Sequence, residues 1–164
     1  MTGRAMKSIP TGRLLLSLVG AFTAISPWVF DYGETHMFND RWPPHAKFHN
    51  AQTLLLGTSL GLLTLYFCWR GRRDPARSLH AACLAGSLYW LTQAAAILLP
   101  NTSLTDPEFA ASVPHPLGFS GPQPVVDAIV LTAILVAYVL ERSRLSRRGE
   151  WASGHFHPDG SQAR

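Results

Sequence analysis

Three features of the sequence predict an all-α fold, namely an integral membrane four-helix bundle with both chain ends on the cytoplasmic side: composition, four long apolar runs, and the placement of Lys and Arg. Of the 164 residues, 47% are hydrophobic and only 15% are charged. Charged residues supply roughly a quarter of an ordinary soluble domain. The apolar residues are also segregated into the runs Leu14 to Phe30, Ala51 to Trp69, Leu79 to Leu99 and Val125 to Leu140.

A helix rises about 1.5 Å per residue and a bilayer core is about 30 Å thick, so a span needs roughly 17 to 25 residues. Spans are therefore expected at about 14–30, 49–69, 79–99 and 124–141. The middle two meet the length comfortably and the first is marginal. The fourth reaches it only if Asp127 lies at or inside the membrane boundary. The first run follows basic residues, as a signal peptide would, but Phe22 stands two before Ala24 where cleavage favours a small pair. An uncleaved first helix is expected. One domain, 1–141, accounts for the spans, and residues 142–164 read as a disordered basic tail containing His155 and His157.

Orientation follows from the basic residues, which accumulate on the cytoplasmic side of short loops. Arg4, Lys7 and Arg13 precede the first span, Arg70, Arg72, Arg73 and Arg77 lie between the second and third, and Arg142, Arg144, Arg147 and Arg148 follow the fourth. The loop from Asn101 to Gln123 has no Lys or Arg, and in the first loop Arg41 and Lys47 are offset by Asp31, Glu34 and Asp40. Those two loops face outward. The net charge of +4 thus reads as a topology signal, and nucleic acid is excluded as a partner. The expected location is a bacterial plasma membrane or a eukaryotic endomembrane, with lipids as neighbours.

Trp28 and Trp42 near the outer boundary, and Tyr66 and Trp69 near the inner one, fit aromatic belts. Gly57 with Gly61, and Ala82 with Gly86, are small-xxx-small pairs that permit close helix approach, within the bundle or in a homo-oligomer. Cys68 and Cys83 form no C-x-x-C and read as packing residues, which argues against a membrane disulfide oxidoreductase.

The chemistry is concentrated in the stretch from Asp31 to Gln52, which holds Asp31, Glu34, His36, Asn39, His45, His49, Asn50 and Gln52. Pro43 and Pro44 suit a helix start. His45, His49 and Gln52 are spaced i, i+4, i+7 and are expected to share one face pointing into the bundle or its mouth. Asp127 lies near the outer end of the fourth span, where an ionisable residue is a functional candidate by default. Tyr89 and Gln93 are i, i+4 partners in the outer half of the third, and His115 lies in the third loop. Together they predict a polar cup at the outer mouth.

Three readings of the cup compete. In the first, His36, His45, His49 and Asp127 merely hydrogen-bond one another and the loop backbone. In the second, the chain is an acid/base isomerase, cyclase or hydrolase for a terpenoid- or sterol-like molecule. Its catalytic groups are then His45, His49, Asp127 and Glu34, with His36, Asn39, Gln52, Gln93 and Tyr89 binding substrate and no cofactor required. In the third, His45 and His49 hold a metal completed by His36, Glu34 or Asp127. Ligand binding or transport without chemistry is a further alternative. The histidines are too few for a membrane desaturase, and His80 alone on the inner side is too little for a diheme cytochrome.

The stretch Thr35-His36-x-Phe38-Asn39, followed by Trp42-Pro43-Pro44-His45-Ala46-x-Phe48-His49, resembles a signature of small four-helix membrane proteins of microbes that have no assigned function. The likeness spans roughly residues 14 to 140 and implies a fold and a conspicuous loop, but no activity. In architecture the chain also resembles the emopamil-binding and sigma-2 receptor (EXPERA) family, which includes sterol double-bond isomerases and ligand-binding relatives. Architecture does not fix function, and no residue role is carried over from that family.

Overall fold

The computed structural model describes residues 10–70 and 74–151. The expected disorder of the tail from residue 152 onward, with His155 and His157, lies outside the described residues. Among the described residues there are four α-helices: α1 (Thr11–Phe30), α2 (Pro44–Arg70), α3 (Pro75–Ala96) and α4 (Gln123–Arg147). No strand occurs among the described residues. α1, α2 and α4 are long and apolar enough to cross a membrane.

Several boundaries differ from expectation. α4, the run that looked shortest, extends to Arg147 and is the most apolar of those three. Residues 142–147 therefore belong to a helix and not to the tail. α3 stops at Ala96, and Ile97 to Leu99 lie in the turns beyond it. It carries His80, Ser87, Thr92 and Gln93 and, unlike the other three, has no stretch long and apolar enough to count as a membrane span.

The helices form a ring in which α1 packs on α2 and α4, and α3 closes the square between α2 and α4. A void of about 10 Å³ touches Arg13, Cys68, Ser78 and Glu141, one residue from each helix in turn. The starts of α1 and α3 therefore share one end of the bundle with the ends of α2 and α4, in an up-down-up-down arrangement. There Glu141, 2% exposed, accepts hydrogen bonds from Nε of Arg13 (2.9 Å) and Nε of Arg144 (2.8 Å). Trp69 Nε1 donates to Ser17 Oγ at 2.9 Å, tying α2 to α1.

The interior combines small and hydroxyl-bearing residues with a few large ones, among them Leu16, Leu54, Trp90 and Leu145, while many other large apolar side chains point outward. Thr23, Thr64, Ala82 and Ala137 are fully buried, whereas Leu18, Ile25, Leu62, Leu84, Ile129 and Leu135 are exposed. In water such an exterior would be an aggregation liability. In lipid it is the expected arrangement, because small residues let helix backbones approach.

Gly57 and Gly61 are consumed by this approach. A Cβ at Gly61 would press on Gly20 O and Ala24 of α1, and one at Gly57 on Pro27. Gly86 faces Thr64 of α2 and Ile134 of α4. The two small-xxx-small faces are thus filled inside a single chain.

Candidate functional site

At the end of the bundle away from Arg13 and Arg144, the loop 31–43 and the loop 97–122 fold over the helix termini. The side chains that join them are specific. Asn39 is buried; its Nδ2 donates to Glu108 Oε1 at 3.0 Å and its Oδ1 accepts from the Arg41 amide at 2.9 Å. Arg41 makes an ion pair with Glu108. Trp42 Nε1 donates to Asp106 Oδ2 at 3.4 Å. Within the second loop, Thr105 Oγ1 donates to Ser120 O at 2.7 Å.

Beneath this roof lies a cavity of about 590 Å³, within the range of small-molecule sites. Six aromatic side chains line it: Phe22 and Phe30 from α1, Tyr89 and Trp90 from α3, and Trp42 and Phe109 from the loops. Phe22 and Trp90 stack with ring centres 5.5 Å apart, and Trp90 Nε1 is anchored on Thr23 Oγ1 at 2.9 Å. The polar wall is acceptor-rich. Asp31, Asp106, Gln93, Gln123 and His36 line the cavity, and no Lys or Arg does.

Asp31 caps the C-terminus of α1, its backbone N–H returning to Pro27 O at 2.8 Å. This places its carboxylate beside the loop, with Oδ1 3.9 Å from His36 Nδ1. Burial pushes the Asp31 carboxyl above its ordinary value, while the neighbouring His36 pulls it the other way. His36 is held by Thr35 Oγ1 at 2.8 Å and by an edge-to-face contact with Trp42 at 5.1 Å.

On α4, Gln123 donates from Nε2 to Leu104 O at 3.1 Å, but its Oε1 is buried without a partner. One turn further, Asp127 is 4% exposed and its Oδ1 is likewise unpartnered. Each such orphaned acceptor costs roughly 1–3 kcal/mol unless a donor reaches it. Asp127 follows the lining residue Val126 but does not itself line the cavity, and the lining Tyr89 lies within electrostatic reach of both it and Asp31.

The expected cup is therefore only partly assembled. His36, Tyr89 and Gln93 line the cavity, Asp127 follows a lining residue without lining it, and Asn39 secures the roof. His45, His49 and Gln52 do share a face, but that face is exposed and they do not reach the cavity. The reason is rotational: Asn50, Leu54 and Gly57 carry the inward stripe of α2, and the histidines lie off it. Glu34 is also exposed and lines no part of the cavity. His115 Nε2 turns back to Ala110 O at 2.7 Å within its own loop. His36, Glu34 and Asp127 do not complete a metal site with His45 and His49, because no three metal-binding His, Cys, Asp or Glu side chains converge among the described residues.

Asp106, Gln123 and the Trp90 wall escaped the sequence reading, which counted Asp31 in the polar stretch but gave it no role. For Asp31 a signal existed, as the first acid after a helix and five residues before His36. Asp106 and Gln123 had none, because only the folding of the long loop onto the bundle brings them near.

No curated protein and no solved structure matches the chain. A family model described as a family of unknown function matches residues 15–153, and that range takes in α2, α3, α4, all but the first turn of α1, and both loops that build the cavity. With nearly all of its described structure inside that match, the chain belongs to this family, DUF6640.

Proposed function

We propose that the protein is a four-span membrane protein, with both ends on the basic cytoplasmic side, that binds a small lipophilic molecule in the cavity at the opposite, acidic end. The observation that carries this reading is the cavity itself. Its volume of about 590 Å³ is walled by six aromatic side chains and by polar groups rich in acceptors, among them Gln123 Oε1, which lacks a donor. Such a site favours a molecule with an apolar body and one hydrogen-bond-donating head. Opposed basic and acidic ends support the topology, and the outward-facing leucines and isoleucines support contact with lipid.

A second reading, acid/base turnover of the bound molecule, rests on the Asp31–His36 pair. In it His36 removes a proton from one carbon and returns one to another, as a double-bond shift requires. Asp31 stabilises the imidazolium between the two steps. His36 and Asp31 take the place that the sequence assigned to His45, His49 and Glu34.

The test is to purify the protein in nanodiscs, extract what accompanies it, and identify the molecule by mass spectrometry. Val113→Trp, which fills the cavity from the loop side, should remove it. His36→Gln should leave it bound and, on the second reading, abolish product formation. Equal recovery from wild type and Val113→Trp would refute the assignment of the cavity.

A further inference from the structure

The histidines that miss the cavity form a site of their own. On the exposed first turns of α2, Nε2 of His45 and Nε2 of His49 face each other at 3.1 Å. Nδ1 of His49 lies 3.2 Å from Gln52 Oε1. An amide oxygen only accepts, so Nδ1 carries the proton and Nε2 of His49 presents its lone pair toward His45. This is the arrangement by which a metal-ligating imidazole is fixed: the far nitrogen donates to an outer oxygen, and the near one is free to coordinate. With metal–nitrogen bonds of about 2.05 Å, a 3.1 Å separation of the two nitrogens subtends roughly 100° at the ion, between square-planar and tetrahedral angles.

From this geometry we propose that His45 and His49 chelate a divalent transition-metal ion, zinc or copper, through their Nε2 atoms, with Gln52 orienting His49 and solvent filling the remaining positions. The site is separate from the cavity and independent of what the cavity binds. The metal takes the place of the proton shared between the two rings. His45 keeps that proton by shifting to its Nδ1–H tautomer, so both ligands stay neutral and nothing is oxidised or reduced. Parallel stacking of His45 on Phe48, with ring centres 6.1 Å apart, favours the rotamer that faces His49.

The experiment titrates untagged, chelator-washed full-length protein in detergent with Zn²⁺ by calorimetry, and with Cu²⁺ by electron paramagnetic resonance. His155 and His157 are replaced by Ala throughout so that they cannot compete. The expected result is one ion per chain, with hyperfine splitting from two nitrogens in the copper spectrum. His49→Gln should abolish binding and Gln52→Leu should weaken it about tenfold or more, the usual effect of removing an outer-shell partner. All three side chains are exposed, so unchanged melting temperatures will show that the fold is intact. Equal titration of wild type and His49→Gln, or an unaltered affinity in Gln52→Leu, would overturn the proposal.

Discussion

Replacing Gly61 by Ala probes the contact on which the α1–α2 pair depends. The added Cβ would stand 2.6 Å from Ala24 N and 2.7 Å from Ala24 Cβ, and would also press on Gly20 O. Restoring 3.0–3.4 Å at the first of these requires the two helices to part by about 0.4–0.8 Å. A gap of that size forfeits a quarter or more of the dispersion energy at the atoms beside it, and overpacking a filled interior costs about 1–3 kcal/mol. Alanine is the better helix former by about 0.5–1 kcal/mol. The steric term exceeds that gain, leaving a net loss of roughly 1–2 kcal/mol. The assay is thermal unfolding in detergent followed by circular dichroism. Two controls frame it. Gly86→Ala meets Thr64 Oγ1 at 3.3 Å and should sit near wild type, and Gly33→Ala meets nothing within 4 Å and should be silent. If Gly61→Ala melts at or above wild type, backbone approach is not what holds α1 to α2, and the close packing inferred from Gly57 and Gly61 is wrong.

Other expectations concern charge. Glu141→Gln leaves Arg13 and Arg144 without their shared carboxylate. Removing one partner of a buried pair costs about 3–5 kcal/mol, but the arginine side chains keep 24% and 17% exposure, so a loss of about 1–2 kcal/mol is expected in the same melting assay. Wild-type stability in that variant would mean the triad contributes nothing. Because the folded Asp31 carboxyl binds its proton more tightly than in the unfolded chain, stability falls as pH rises from 3.8 through the raised folded value. Asp31→Asn should therefore gain melting temperature over wild type as pH is raised toward neutrality, and a constant difference between the two across that range would contradict the burial of Asp31.

Much of the bundle was legible because its causes are local. The apolar runs, the arginines at alternate ends and the prolines at Pro44, Pro75 and Pro124 mark helices and their starts without reference to any partner. Helix periodicity likewise put His45, His49 and Gln52 on one face. It could not say which way that face turns, since rotation about the helix axis is set by what the neighbours bury. For α2 the small residues Gly57 and Gly61 decide it, drawing α1 against their side and leaving the histidines outside. Helices of this kind make the rotation harder to read, because large apolar residues lie both inside, as Leu16 and Leu54 do, and outside, as Leu18 and Leu62 do.

The sequence by itself determined that four helices form, where their apolar stretches lie and which ends are basic, since chain length, hydropathy and charge act segment by segment. Only the tertiary structure decided that Asp31 and His36 meet Gln93 and Gln123 around a cavity while Glu34, His45 and His49 stay out of it. That outcome depends on helix rotation and on a long loop closing through Asn39, Arg41 and Glu108, contacts whose partners lie far apart in the chain and follow no period.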